Sequence, residues 1–278
     1  MKGFELITFT TDFGAGGGYV ASCEAVLVRL QPGVRVFHIS HEVALGDVGA
    51  GALVLRRVAP LCPTAIHLAV VDPGVGTNRR PVAVTTVRGD VLVGPDNGLL
   101  PPAADALGGP TGAWLLDEAR VRIAAGLGGP TSSTFHGRDL FAPAAALLSA
   151  AVDPAAYAAP MDPGTLVILP PAICRLTPDG ALAEVIEIDR FGNVAVALSF
   201  DDFSPWEDTL RVDVEGDDLQ AWDARLVRTY GDLRPGELGV YRDSWGHVAL
   251  ALNAASAAEV LSVRRGMVLR LTRSSPAP

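Results

Sequence analysis

Apolar residues in the first half of the chain form two kinds of run, continuous ones and ones at helical spacing. Phe4–Thr11 and Ala65–Val71 are continuous and rich in β-branched residues, which is typical of strands in a parallel sheet covered on both faces. Tyr19–Leu30 has helical spacing, and Pro32-Gly33 ends it. Further predicted strands are Val34–Ile39, Pro81–Val87 and Val91–Val93. Two further helices are predicted, one from a cap at Asp47 to about Ala59 and one over Arg138–Ala151. This order of strands and helices predicts an α/β domain.

The pattern changes where four prolines crowd residues 160–171, a composition typical of a connection between domains. Beyond it, short apolar runs separated by turn residues predict an all-β region, either a small barrel or a sandwich. The predicted strands are Ala181–Ile188, Val194–Leu198, Thr209–Val214, Leu238–Tyr241, Val248–Leu252 and Met267–Leu271, with one helix at Ala254–Leu261. We therefore expect two domains, residues 1–165 and residues 175–278.

Composition excludes several classes of protein. The 278 residues carry 31 acidic and 22 basic side chains, a net charge of −9 with no basic block, so nucleic acid is not an expected partner. The longest apolar stretch, about Ala142–Val152, is shorter than the ~18–20 residues of a membrane helix. The 3 cysteines are far apart, so we expect neither a disulfide framework nor a cysteine zinc site, and a reducing cytoplasm is the expected compartment.

A glycine-rich loop, Thr11-Asp12-Phe13-Gly14-Ala15-Gly16-Gly17-Gly18, follows the first strand. Its spacing matches neither the dinucleotide-binding pattern nor a P-loop, so it gives little support for a phosphate site. Asp12 follows the carboxyl end of that strand, where open α/β sheets bind ligands, and its carboxylate can accept two hydrogen bonds from a ribose diol. A helix cap or an ordinary loop acid is the alternative interpretation.

Two other segments of the first domain carry candidate chemistry. Asp72 follows the third predicted strand, and Arg79 comes shortly after, which places opposite charges near one pocket or forms a structural ion pair. His136 precedes a glycine that leaves room for a small molecule, although a lone histidine is often structural. Asp72, Arg79 and His136 do not have metal-ligand spacing, and no G-x-S-x-G motif supports a serine nucleophile.

The second domain offers two segments. Asp189-Arg190-Phe191-Gly192-Asn193 lies between two predicted strands, and it forms either a simple turn or a site where a carboxylate meets an amino group and an amide meets a base edge. Asn253-Ala254-Ala255-Ser256 has small residues that would let a flat ring approach the backbone, or it starts a helix.

Taken together, seven segments covering nearly the whole chain resemble the S-adenosyl-L-methionine hydroxide adenosyltransferase family, whose relatives include the adenosyl-fluoride and adenosyl-chloride synthases. The segments are T-D-F-G at 11–14, H-E-V at 41–43, V-D-P-G-V-G-T-N-R-R at 71–80, G-P-D-N-G-L-L at 94–100, T-F-H-G-R-D-L-F-A-P at 134–143, I-D-R-F-G-N-V at 188–194 and N-A-A-S at 253–256. The resemblance implies an α/β N-terminal domain with a central, mostly parallel sheet and a smaller all-β barrel C-terminal domain. It also implies a homotrimer, with each active site between one subunit's N-terminal domain and a neighbour's C-terminal domain.

The implied reaction is hydrolysis of S-adenosyl-L-methionine by water or hydroxide attack at C5′, which gives adenosine and L-methionine. Family members that use water carry an Asp-Arg-His set, and the matching residues are Asp72, Arg79 and His136. His136 and Asp72 are then expected to orient the water and accept its proton, and Arg79 to stabilise the developing hydroxide. No metal and no cofactor are expected.

The resemblance also implies substrate contacts. The ribose hydroxyls are assigned to Asp12, the methionyl amino and carboxylate groups to Asp189 and Ser244, the adenine edge to Asn193 and Ala254, and stacking on adenine to Tyr230.

Two alternatives stay open. A halide adenosyltransferase is disfavoured by Asp72 and His136, because halide enzymes of the family lack this set. A nucleoside- or S-adenosylmethionine-binding protein with little turnover is motivated by Gly16–Gly18 and Gly46, where the family usually carries an acid and an aromatic residue.

Overall fold

The computed structural model of the protein describes residues 3–129, 131–203, 209–214 and 221–273. The chain divides into two units, Met1–Leu169 and Pro170–Pro278, and each is described by itself.

The first unit alternates strands with helices. Its elements are β1 (Leu6–Thr11), α1 (Tyr19–Leu30), β2 (Arg35–Ser40), α2 (Val48–Val58), β3 (Ile66–Val70), β4 (Pro81–Thr86), β5 (Val91–Pro95), α3 (Pro101–Ala106), β6 (Pro110–Leu116), α4 (Glu118–Ala124), α5 (Ala142–Ser149) and β7 (Ala158–Met161). Asp47 caps α2 as predicted, since its Oδ1 accepts from the Ala50 N–H at 2.9 Å. The helix predicted over Arg138–Ala151 is instead a π-helical turn, Gly137–Phe141, followed by α5.

The strands of this unit form one sheet in the order β2-β1-β3-β5-β4-β6-β7. In the described part of the chain, β2-β1, β1-β3 and β3-β5 pair parallel, whereas β5-β4, β4-β6 and β6-β7 pair antiparallel. The expectation of a mostly parallel sheet therefore holds for one half, and the sheet as a whole is mixed. The reason is the short connection from Thr86 to Val91, which forms a hairpin because a parallel crossover needs a dozen or more residues.

Helices cover both faces of the sheet. Cys23 and Leu27 of α1 join α5 in one buried cluster with Ile7 of β1, while Leu55 of α2 joins α3 in a second cluster on the other face. Burial on both sides explains why β1 and β3 read as continuous apolar runs. The two strands are parallel neighbours, with Thr11 opposite Val70, so the residues that follow them emerge at the same edge.

The second unit is β-rich. Its strands are β8 (Cys174–Thr177), β9 (Gly180–Ile188), β10 (Val194–Ser199), β11 (Thr209–Val214), β12 (Ala221–Leu226), β13 (Leu238–Arg242), β14 (His247–Leu252) and β15 (Val268–Arg273), with α6 at Ala257–Val260. The order is β10-β14-β13-β12-β11-β15-β9-β8, and an additional β10–β9 pairing closes seven of the strands into a barrel. The expected barrel is confirmed. The helix predicted from Ala254 starts later because Ala254 has φ +60°, and Ser256 caps it by accepting from the Glu259 N–H at 3.1 Å.

Candidate active site

Asp12 and Asp72 mark the carboxyl edge of the sheet in the first unit. Asp12 directly follows β1, and its Oδ2 accepts from the Gly46 N–H at 2.9 Å. The N-cap of α1 is Gly18, so Asp12 does not cap that helix. A Cβ at Gly46 would lie 3.6 Å from Pro73, the residue after Asp72. The segments after β1, before α2 and after β3 therefore meet beside the two carboxylates.

Asp72, Arg79 and His136 form one hydrogen-bonded array. Arg79 Nε donates to both carboxylate oxygens of Asp72 at 3.0 Å, and Nη2 donates to Oδ2 at 2.6 Å. The same Nη2 lies 2.7 Å from Nδ1 of His136. The side chains of Asp72 and Arg79 are 5% and 9% exposed, and that of His136 is 13% exposed. The structure thus brings together the three residues assigned to catalysis on the sequence.

The guanidinium fixes the tautomer of His136. Arginine has only donors, so the Arg79–His136 contact requires Nδ1 to accept. The neutral ring then carries its proton on Nε2, which is left to donate to another group. The array accordingly presents an N–H donor at its histidine end, not a free ring lone pair.

Aromatic contacts hold the loops that carry Asp12 and His136. Phe13, next to Asp12, contacts Phe135, next to His136, with ring centroids 5.9 Å apart. The Arg79 guanidinium lies 5.1 Å from the centroid of Phe141, a residue of the π-helical turn that follows His136. Loops from distant parts of the sequence are thus packed against one another at this edge.

Glu118 lies on the far side of the His136 ring and was not predicted. Its Oε2 is 4.0 Å from His136 Nε2, and the carboxylate side chain is 33% exposed. It is the first residue of α4, a short helix that the hydrophobic pattern did not reveal. Glutamate at a helix start has an ordinary stabilising role there, so the sequence carried no signal for this contact.

The second unit contains a cavity of about 730 Å³. Five residues assigned to the substrate on the sequence line it: Asp189, Asn193, Tyr230, Ser244 and Ala254. The structure therefore gathers these five at one cavity of the second unit, and Asp12 with the Asp-Arg-His array at the sheet edge of the first.

Asp189 organises the turn at the cavity. Its Oδ1 accepts from the backbone N–H groups of Phe191 and Asn193 at 2.8 and 2.9 Å. Its Oδ2 accepts from the Asn193 side-chain amide at 2.8 Å. The segment is thus a turn, as the first interpretation has it, and its carboxylate and amide lie along the cavity wall.

The cavity wall is acidic and aromatic beyond the predicted residues. It includes Glu187, Tyr241, Asp243 and Trp245. Burial, with nearby Asp189, Asp243, Tyr230 and Glu187, raises the pKa of Tyr241 to about 12. Burial of Asp243 is outweighed by hydrogen bonds from His247 and from the backbone of His247 and Trp245, which hold its pKa below the usual range.

Strand periodicity is the signal that would have found Glu187, because this residue lies two positions before the predicted Asp189. Glu187 is in β9 and Asp189 directly follows that strand, and Tyr241 in β13 has the same spacing to Asp243, which directly follows β13. Because side chains alternate along a strand, each pair lies toward one face.

The described residues contain no helix long and apolar enough to cross a membrane. Within the same residues, no three His, Cys, Asp or Glu side chains are grouped as a metal site would need.

Comparison with known proteins gives matches across both units. The model of the SAM hydroxide adenosyltransferase N-terminal domain matches residues 7–158, and that of the C-terminal domain matches residues 183–270. A protein of Salinispora tropica named (R)-S-adenosyl-L-methionine hydrolase is 48% identical over 96% of this chain and 97% of its own length. A fluorinase of Actinopolyspora mzabensis is 26% identical over 97% of each chain.

A solved structure has the same fold. The crystal structure of an uncharacterized conserved protein from Thermotoga maritima superimposes with a TM-score of 0.83 at 31% identity, covering 95% of this chain and 99% of the other.

Proposed function

The chain belongs to the SAM hydroxide adenosyltransferase family, and from this premise we propose that it hydrolyses S-adenosyl-L-methionine to adenosine and L-methionine. The observation that carries the proposal is the Asp72–Arg79–His136 array at the carboxyl edge of the sheet. Water attacks C5′, the C5′–S bond breaks, and its electron pair leaves with the methionine sulfur. One proton is released.

The reaction gains from a preorganised, poorly hydrated site. Attack by a hydroxide-like oxygen on a sulfonium annihilates charge, so the barrier falls where bulk water is excluded and fixed dipoles replace it. Asp72 and Arg79 are almost completely buried, which suits this requirement. We assign no cofactor, because the sulfonium is already an activated leaving group.

Each member of the array has a distinct task. Both oxygens of Asp72 are engaged by Arg79, so Asp72 holds the guanidinium in place. Arg79 fixes the His136 ring through Nδ1 and supplies a positive charge beside the developing hydroxide. His136 Nε2–H then donates to the attacking water and directs an oxygen lone pair toward C5′. This assignment moves proton acceptance away from Asp72 and His136.

The cavity of the second unit supports the substrate assignment. Glu187, Asp189 and Asp243 give its wall negative charge, which suits the cationic sulfonium and ammonium groups of S-adenosylmethionine. Asn193 and Ala254 would meet the adenine edge and Tyr230 would stack on the ring. Asp12 would bind the ribose hydroxyls.

The assembly that we propose is a homotrimer. Its active sites combine the N-terminal half of one subunit with the C-terminal half of a neighbour. The support is the family membership, and the assigned residues belong in part to the first unit and in part to the second.

We also propose a cytoplasmic location. The thiols of Cys23, Cys62 and Cys174 are free, which suits a reducing compartment.

The test is product analysis in ¹⁸O-labelled water. Purified protein is incubated in halide-free buffer with each separated sulfonium epimer of S-adenosyl-L-methionine, because the hydrolase relatives are named for the (R) epimer. We expect adenosine and L-methionine from the (R) epimer, with the label in the adenosine 5′-hydroxyl.

His136→Ala is the matched control, and we expect it to lose adenosine formation. Labelled homoserine together with 5′-methylthioadenosine would place the attack on the methionyl γ-carbon instead of C5′, and substrate binding without turnover would leave a binding protein. A halogenated nucleoside on adding chloride or fluoride would instead indicate a halide adenosyltransferase.

A further inference from the structure

The hydrolysis needs a proton acceptor that the Asp-Arg-His array does not provide. As the new C5′–O bond forms and the C5′–S pair passes to sulfur, the attacking oxygen carries one surplus proton. Asp72 Oδ1 and Oδ2 both accept from Arg79, a permanent cation. His136 Nδ1 faces the same guanidinium, and Nε2 already carries the ring proton.

Glu118 is placed to take this proton. Its Oε2 lies 4.0 Å from His136 Nε2, which is too long for a direct hydrogen bond. One water can span the gap with two bonds of about 2.8 Å, accepting from Nε2–H and donating to the carboxylate. Exposure rises along the array, from 5% at Asp72 and 9% at Arg79 to 13% at His136 and 33% at Glu118. A proton received at Glu118 is therefore nearest to solvent.

The fold holds Glu118 firmly at this point. Asp117 N–H donates to the Tyr157 carbonyl at 3.0 Å, and Asp117 Oδ1 accepts from Arg120 N–H at 3.0 Å. The Arg120 guanidinium also donates to the carbonyl of Ala156 at 3.1 Å. The start of α4 is thus anchored to the segment before β7, which places the backbone of Glu118 near the histidine.

We propose that Glu118 is the general base of the hydrolysis, which rests on the proposed function above. Its carboxylate takes the proton from the attacking water while His136 Nε2–H holds the oxygen. The protonated Glu118 then returns the proton to solvent.

The test compares Glu118→Gln with wild type in the adenosine assay. The amide keeps the shape and the acceptor oxygen of glutamate but cannot take a proton, so we expect kcat to fall by about 10²–10⁴-fold with KM nearly unchanged. Glu5→Gln is the control, because Glu5 is an exposed carboxylate at the opposite end of β1 from Asp12. The melting temperature and S-adenosylmethionine affinity of each variant are measured in parallel.

A second pair of measurements separates chemistry from folding. Added formate is expected to restore part of kcat to Glu118→Ala and none to His136→Ala, because only the first lacks a proton acceptor. A Glu118→Gln enzyme within about threefold of the wild-type kcat would overturn the assignment. The assignment would also be overturned if Glu118→Ala lost only folding stability and formate did not raise its kcat. Absence of adenosine from the wild type would instead overturn the hydrolase, and the assignment with it.

Discussion

At the residue scale, Arg79 links two loops through one nitrogen atom. Nη2 makes contacts of 2.6 Å to Asp72 and 2.7 Å to His136, while Nε makes the remaining contacts to the carboxylate. This arrangement needs the planar fork of a guanidinium, because an ammonium group concentrates its donors at one point. The shape of the side chain is therefore needed in addition to its charge.

Arg79→Lys is accordingly expected to behave as a severe substitution. We predict a fall in kcat of about 10²-fold, because lysine cannot hold Asp72 and orient the His136 ring with the same geometry, and a misplacement of about 1 Å can cost this much. Single-turnover adenosine formation measures it, with Arg29→Lys on the exposed last turn of α1 as the control. If the lysine enzyme kept its kcat, positive charge alone would be sufficient and the requirement for the guanidinium fork would be contradicted.

At the element scale, the turn between β9 and β10 depends on Gly192. This residue has φ +80°, and a Cβ there would lie 2.1 Å from Ser256 Oγ and 2.7 Å from Ser256 Cα. The Gly192 carbonyl also accepts from Ala258 N–H in α6 at 2.9 Å. The turn that carries Asp189 and Asn193 is thus packed directly on the start of the helix.

Gly192→Ala should therefore destabilise the barrel unit and weaken substrate binding together. We expect a loss of about 2–4 kcal/mol in unfolding free energy, from backbone strain plus the clash with Ser256. Gly236→Ala is the matched control, because Gly236 has φ +78° but nothing within 4 Å of its Cβ position. Urea denaturation and calorimetric binding of S-adenosylmethionine measure both variants, and equal losses would show that crowding at Ser256 is unimportant.

Strands β1 and β3 share a buried polar network with the turn that precedes β5. Thr8 Oγ1 lies 2.8 Å from His67 Nδ1, His67 Nε2 lies 3.1 Å from Asp90, and Arg88 contacts the same carboxylate at 2.6 Å. Burial opposes ionisation of Asp90, but the hydrogen bonds from Arg88, His67 and the Ala65 backbone outweigh it and hold its pKa far below the usual range. The ionised carboxylate is thus a stabilising group of the folded sheet.

The sign of the pH effect follows from the lowered pKa of Asp90. Its stabilisation is fully present above the ordinary aspartate pKa of about 3.9 and is lost as pH falls below that value. Asp90→Asn is expected to cost about 3 kcal/mol at neutral pH, because it leaves a buried network without its charge. The difference in unfolding free energy between Asp90→Asn and wild type should narrow in acid. Urea denaturation between pH 7 and pH 3 measures it. A constant gap would contradict the assigned ionisation.

At the scale of the whole molecule, the sequence predicted the elements with strong periodicity and missed the short ones. The helix Tyr19–Leu30 was predicted with its observed bounds because its pattern is long and ends at turn residues. The short strand β11 was also predicted with its observed bounds, because turn residues flank its apolar run. Helices α3 and α4 and strands β6, β7, β8 and β12 were missed. They are 4 to 7 residues long and gain their order from packing within the fold.

The candidate site likewise contains residues that the sequence predicted and one that it missed. Asp72, Arg79 and His136 stand in segments specific enough to be recognised, and the structure joins them. Glu118 lies 18 residues before His136 on a helix without a clear pattern, so only the folded chain reveals their proximity. The antiparallel pairing of β4 with β5, in contrast, had a signal in the sequence, because only three residues separate the strands predicted at Pro81–Val87 and Val91–Val93, too few for a crossover.

The proposed trimer predicts that two inactive variants regain activity when they assemble together. His136→Ala damages the N-terminal half of a site, and Asn193→Ala damages the C-terminal half. Suppose that each site takes its N-terminal half from one subunit and its C-terminal half from the next around a ring. Every mixed trimer, whether it holds one or two copies of either variant, then contains one site with both halves intact.

Co-expression with two different tags and sequential affinity purification isolates the mixed trimers, and light scattering gives their mass. We expect each variant alone to be inactive and the mixed trimers to have about a third of the wild-type kcat. Trimers with one copy and trimers with two copies of a variant should have the same kcat. Shared sites require this constant value, and contamination by another active enzyme does not. Inactive mixed trimers would show that both halves of each site belong to one chain, and a monomeric mass would remove the trimer altogether.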